Sequence, residues 1–161
     1  IPLNKTLVLS EIGVITNMIT EEGEDPIQAK KGLQHLMWNH VGVVRDERTM
    51  LAGLAALREF SPTLATGSTL ANNEALIATL DILNAIPTCE MILQSALKRT
   101  ESRAAHYRSD FLETDPAWQK NIVCTPTGGT FSISTIDVVP PSAEVTTLIE
   151  KRDDPEIHLL E

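Results

Sequence analysis

Residues 95–111 read Ser95-Ala96-Leu97-Lys98-Arg99-Thr100-Glu101-Ser102-Arg103-Ala104-Ala105-His106-Tyr107-Arg108-Ser109-Asp110-Phe111. Lys98, Arg99, Glu101, Arg103, His106, Arg108 and Asp110 make this the densest mixed-charge cluster of the chain. It also divides the chain by texture. An apolar pattern of helical period runs into it, and a turn-rich, strand-like stretch leaves it.

Working back from the cluster, residues 71–103 carry Leu76, Ile77, Leu80 and Leu83, then Met91, Ile92, Ser95, Ala96 and Arg99, at helical spacing. Pro87 interrupts them. It lacks an amide donor and clashes with the preceding turn, so the pattern predicts a kink or two helices meeting near Ile86. Before it, Asp46 is a candidate cap for a helix with Met50, Leu51, Leu54, Leu57 and Phe60 on one stripe. Ser61-Pro62 stops that helix, and residues 63–69 read as a small-residue loop. Asp25-Pro26 opens an earlier helix, 26–40, with Ile27, Leu33, Leu36, Met37 and Val41 near one face and Gly42 as its breaker. Residues 7–19 fit helix or strand. A helix is favoured, closed by a solvated turn at Glu21-Glu22-Gly23-Glu24.

Working forward, Asp115-Pro116 marks a turn. Residues 121–125 and 130–136 read as strands joined through Pro126-Thr127-Gly128-Gly129, a hairpin signal. Phe131, Ile133 and Thr135 should share one face of it. Pro140-Pro141 ends the pair, residues 145–151 form a short helix, and Asp153-Asp154-Pro155 begins an acidic tail. The expected architecture is mainly α. An antiparallel bundle of at least three long helices fills residues 1–115, and a β-hairpin and tail over 116–161 pack on it.

Composition narrows the function. The chain has 161 residues, 42% of them apolar but only 4% aromatic, so aliphatic side chains must fill the core. A net charge of −9 argues against nucleic acid, which requires a basic face, and against an anionic membrane surface. No apolar run approaches the roughly 18 residues of a membrane span. The start, Ile1-Pro2-Leu3-Asn4-Lys5, has neither an initiator Met nor a signal-peptide layout, which suggests a fragment or processed product. Cys89 and Cys124 lack metal or redox spacing and fit two reduced thiols of a cytoplasmic protein, with a disulfide between them left open.

A search for chemistry returns little. There is no glycine-rich phosphate loop, and Gly128-Gly129 lies between strands. His35 and His40 are five apart, off one helical face, and His106 and His158 have no ligand neighbour of the right type. No nucleophile elbow is present. No catalytic, cofactor-binding or metal-ligating residue is therefore assigned. For the cluster itself, the simpler reading is a solvated helix end with cations near the negative pole, Arg99 and Arg103 lying four apart on a helix that runs to Arg103. The alternative is a docking surface, or a buried ion network at a domain junction.

Residues 96–111 resemble the A-L-x-R-x-E-S-R-G-x-H-Y-R-x-D-[FY]-P signature of the succinate dehydrogenase/fumarate reductase flavoprotein family, which includes the aspartate oxidases. Leu36-Met37-Trp38-Asn39-His40-Val41-Gly42-Val43-Val44-Arg45 resembles the M-W-x-x-V-G-I-V-R stretch of the aspartate-oxidase branch. Asp115-Pro116-Ala117-Trp118-Gln119 and the hairpin resemble the tail of several members. Two departures stand out: Ala104 replaces the usual Gly, and Leu112 the usual Pro. A Gly held at positive φ would make Ala104 a strained substitution.

The resemblance implies a three-helix, spectrin-repeat-like C-terminal domain, following FAD-binding and capping domains. It implies a parent FAD-dependent oxidoreductase acting on a small dicarboxylate. FAD would be bound by the parent and not by this chain, and substrate-holding residues would come from the other domains. Arg45, Glu101, Ser102, Arg103, His106, Arg108 and Asp110 carry over as motif residues expected to brace the domain junction. The implied partners are the FAD-binding domain of the same protein and, in the dehydrogenase and reductase branch, an iron-sulfur subunit, with no nucleic acid and no direct membrane insertion. The stretch over residues 41–45 favours the aspartate-oxidase branch, so the resemblance implies oxidation of L-aspartate to iminoaspartate, a step of NAD biosynthesis, as the first reading; the hairpin tail leans to the alternative, interconversion of succinate and fumarate. A free-standing helical interaction module remains the reading from a different class.

Overall fold

The structure, a computed structural model, describes residues 4–17, 24–60 and 73–152. Helix α1 spans Lys5–Asn17, α2 Pro26–Val41, α3 Glu47–Phe60, α4 Asn73–Lys98 and α5 Ala143–Arg152. Strands β1 (Val44–Arg45) and β2 (Tyr107–Arg108) form one short parallel pair, and β3 (Lys120–Thr127) and β4 (Thr130–Asp137) form the hairpin.

Local chemistry sets the helix starts. The Asp25 carboxylate accepts the Ile27 amide at 2.9 Å ahead of Pro26, and the Asp46 carboxylate accepts the Thr49 amide at 2.9 Å. Helix α2 stops at Gly42, where a Cβ would lie 2.5 Å from the Trp38 carbonyl oxygen. Helices α2, α3 and α4 each pack against the other two. Leu33, Val41, Met50, Leu54, Leu57, Cys89, Leu93 and Ala96 form the shared core, each large side chain contributing roughly 1.5–3 kcal/mol by leaving water. Gly53 lets α3 approach α2, since a Cβ there would sit 2.6 Å from that of His40. The mainly α, three-helix arrangement with a C-terminal hairpin is the expected one.

Several details differ from expectation. Helix α4 is continuous through Pro87, which excludes two helices meeting at Ile86 and leaves the kink as the other expected outcome. Ile82, Cys89 and Leu93 are buried on both sides of the proline. The same helix ends at Lys98, five residues short of Arg103, because its last carbonyls are taken by a side chain from beyond the helix. Pro126 lies inside β3 opposite Phe131, so the hairpin connection shrinks to Gly128-Gly129, at φ +52° and +89°. The β1–β2 pair, matching Val44 with Tyr107 and Arg45 with Arg108, carries no local sequence signal. Leu51 sits on the apolar stripe of α3 but is half exposed.

Phe131, Ile133 and Thr135 are the half-buried face of β4, as their alternation predicts. Among the described residues, no helix is long and apolar enough to cross a membrane. The expected stop at Ser61-Pro62, the 63–69 loop, most of the turn after α1, the acidic tail and His158 lie outside the described residues.

Candidate functional site

Three helix ends meet where β1 pairs with β2. The last carbonyls of a helix have no partner within it and carry the negative end of its dipole, so each is a site for a cation. At the end of α2, Arg45 donates through Nε to the carbonyls of Val41 (3.2 Å) and Gly42 (2.8 Å). At the end of α4, Arg108 donates through Nη1 to Ala96 (2.9 Å), Leu97 (3.3 Å) and Arg99 (3.0 Å). At the start of α3, the free amide of Glu47 donates to Asp110 Oδ2 at 2.9 Å. Arg108 and Asp110 themselves form a fork, Nε to Oδ1 and Nη2 to Oδ2, both at 2.7 Å. One ion pair thus closes the C-terminus of α4 and the N-terminus of α3 together. The Phe111 ring lies 4.8 Å from the same guanidinium.

The second ion group ties α4 to the root of the hairpin. The fully buried Glu101 accepts from Arg103 Nε (2.8 Å) and Nη2 (3.0 Å), from Arg99 Nη1 (2.6 Å) and from the Asp115 amide (2.9 Å). Arg99 also donates to the carbonyls of Trp118 (3.1 Å) and Lys120 (2.6 Å) and covers the Trp118 ring at 5.1 Å. Ser102 Oγ accepts the Arg108 amide and donates to the Phe111 carbonyl, both at 2.8 Å. The Arg103 bonds hold the Glu101 carboxyl down to about 2, and the Arg108 fork does the same for Asp110.

His106 links the two groups. Its Nδ1 lies 2.9 Å from Arg45 Nη1 and its Nε2 3.3 Å from the Arg99 carbonyl oxygen. Arginine has no acceptor, so Nδ1 accepts and Nε2 carries the proton: the ring is neutral. Burial pushes its pKa down, Arg45, Arg108 and Arg99 push the same way, and the carbonyl bond opposes them. A group with a lowered folded pKa is protonated first in the unfolded chain. The stability it contributes is full above the ordinary histidine range and drains as pH falls below about 6.5. The expected result is a lower denaturant midpoint at pH 5.5 than at 7.5, with a shallower pH slope in His106→Gln. A second loss, between pH ~4 and 2, belongs to Glu101 and Asp110.

Ala104 begins the tight turn between Arg103 and His106, which exchange backbone bonds of 2.8 and 2.9 Å. Its φ is +48°, making it the one non-glycine residue at positive φ among the described residues. This is the geometry that favours the glycine of the resembling motif. Relief of strain against the entropy of a glycine leaves Ala104→Gly stabilising by up to about 1 kcal/mol, while Ala105→Gly, at negative φ, destabilises by a similar amount. Thermal melts of the two variants should shift in opposite directions. At the other departure, Leu112 is exposed, and the exit is held instead by Ser102, whose amide donates to the Glu113 carbonyl (3.0 Å) and whose carbonyl accepts from the Thr114 hydroxyl (2.7 Å).

Arg45, Glu101, Ser102, Arg103, His106, Arg108 and Asp110 therefore lie in one connected network. The solvated-helix-end reading is overturned, because Glu101 and Arg108 are fully buried. The predicted set lacks four members: Arg99, which stands in the charge cluster but is not carried over as a motif residue, Glu47 through its amide, Asp115 through its amide, and Trp118 as the platform for Arg99. Backbone amides leave no composition signal. Chemically, the network is a brace. Arg99, Arg103 and Arg108 each bond internal carboxylates and carbonyls. Among the described residues, no group of His, Cys, Asp and Glu could hold a metal ion.

A family profile described as fumarate reductase flavoprotein C-term matches residues 30–152. A fumarate reductase (CoM/CoB) chain of Methanothermobacter marburgensis is 30% identical over 122 residues, 74% of this chain and 22% of that protein. L-aspartate oxidase of Pyrococcus horikoshii is 34% identical over 79 residues, 49% of this chain and 13% of that protein. Among solved structures, Mycobacterium smegmatis Sdh1 in complex with UQ1 superposes with a TM-score of 0.80 at 25% identity, over 94% of this chain and 27% of that one. The chain thus spans about a quarter or less of the proteins it matches.

Proposed function

Because the chain belongs to the fumarate reductase flavoprotein C-terminal family, we propose that it is the helical domain of an FAD-dependent oxidoreductase that acts on a small dicarboxylate. The observation that carries this is the coincidence of the motif with the buried network: the residues that resemble the family signature are the ones that lock three helix ends and the hairpin root. FAD would be held by the rest of the polypeptide and would supply the two-electron donor or acceptor. The chain's own contribution is rigid positioning. Arg45, Glu101, Ser102, Arg103, His106, Arg108 and Asp110 brace the junction with the flavin-binding domain.

Two substrates compete. The longer match, to a fumarate reductase over 122 residues, and the presence of the hairpin support interconversion of fumarate and succinate, in partnership with an iron-sulfur subunit. The Val41-Gly42-Val43-Val44-Arg45 stretch supports oxidation of L-aspartate to iminoaspartate. The full-length protein separates them. Under the first reading, a reduced viologen dye is reoxidised on adding fumarate. Under the second, anaerobic L-aspartate bleaches the bound flavin. Activity with neither would refute the proposal. The brace predicts that Arg103→Ala and His106→Ala in the full-length protein each weaken flavin retention and turnover, and unchanged values for both would remove the junction role.

A further inference from the structure

An open groove of about 950 Å³ runs along the face shared by α2 and α4, and no residue of α3 lines it. Leu33, Met37, Ala85 and Cys89 line it, and Trp38, Val43 and Ile92 stand along it 71%, 66% and 46% exposed. The Lys30–Asp81 ion pair borders the groove near the start of α2, and Arg45 borders it just beyond the end of that helix. Residues 30–42 span about 18 Å at 1.5 Å per helical residue. An exposed apolar strip of that length marks an interaction surface.

Arg45 gives the covering element its chemistry. The lysines and arginines that are buried or half-buried among the described residues are Lys30, Arg45, Arg99, Arg103, Arg108 and Lys120. Each except Arg45 has a carboxylate within 4.0 Å. Arg45 has two carbonyl oxygens and the neutral ring of His106. Covering it with a purely apolar element would bury a cation without a counter-charge, which is strongly unfavourable. An occupant with a carboxylate at that end removes the penalty.

We propose that the groove receives an apolar segment of the flavin-binding part of the same polypeptide, with an aspartate or glutamate of that segment seated on Arg45. The identity of the occupant rests on the function proposed above, since the match covers only 13–27% of the length of the relatives named. The salt bridge to Arg45 rests on the charge inventory of this chain.

The test uses the full-length protein with a benzophenone side chain in place of the exposed Trp38. Irradiation and peptide mass spectrometry should give an intramolecular cross-link to a peptide that contains Asp or Glu. Arg45→Glu should then shorten flavin retention about tenfold or more, and reversal of the cross-linked acid to Arg should restore most of it. Trp38→Asp, which leaves the Arg45 bonds intact, should weaken retention in the same direction. A cross-link to a second copy, a cross-linked peptide without a carboxylate, or no cross-link would each overturn the inference. A full-length protein with flavin and dicarboxylate turnover but no cross-link sinks only this inference. One with neither flavin nor turnover sinks the proposed function itself.

Discussion

Glu101→Gln lowers the unfolding free energy of the chain by about 3 kcal/mol or more, the scale for breaking a buried ion pair by removing one partner. The side chain is fully buried and its two oxygens accept four donors. Glutamine keeps the shape but replaces one oxygen with an NH₂, which must then face a guanidinium or the Asp115 amide. It also removes the only carboxylate that either Arg99 or Arg103 pairs with among the described residues. Arg103→Ala should cost less, because Arg103 is 39% exposed and water can replace it. Denaturant titration of the three proteins at neutral pH checks the order: Glu101→Gln most destabilised, Arg103→Ala intermediate, the parent chain most stable. A loss below about 1 kcal/mol for Glu101→Gln would mean the network contributes no more than an exposed pair.

Glu101 also shows where sequence reading succeeds and where it runs out. Asp25, Asp46 and Gly128-Gly129 act on backbone within three residues of themselves, and each was legible from its neighbours. The end of α4 was not. Residues 99–103 continue the helical spacing, and what stops the helix is Arg108, a side chain that turns back onto the Ala96 and Leu97 carbonyls. Solvated and buried charge clusters have the same composition. They differ in whether backbone groups such as the Asp115 amide arrive to share the charge, and that is decided by the path of the chain. The position of Ala104 was legible only through the family signature, which carries a glycine there. Pro87 left two outcomes open for a related reason: propensity penalises it locally, while the core packing of Ile82, Cys89 and Leu93 on both sides keeps one continuous helix.

The two ion groups should fail differently. Arg108→Ala is expected to cost about 4 kcal/mol, combining an unpaired buried partner with a cavity left by the largest fully buried side chain among the described residues. Three carbonyls at the end of α4 lose their donor and Asp110 loses both fork bonds. The effect should cross to another helix. Asp110 accepts the Glu47 amide, so releasing Asp110 from Arg108 also uncaps α3, and hydrogen exchange at Glu47 should accelerate along with exchange in the last turn of α4. Asp110→Ala removes the same fork from the other side and leaves a buried cation. The double variant should therefore cost clearly less than the sum of the two singles, because each single already breaks the shared pair. Additive costs, with Glu47 exchange unchanged in Arg108→Ala, would show that Asp110 is held by the α3 amide alone and that the two helix ends are closed independently.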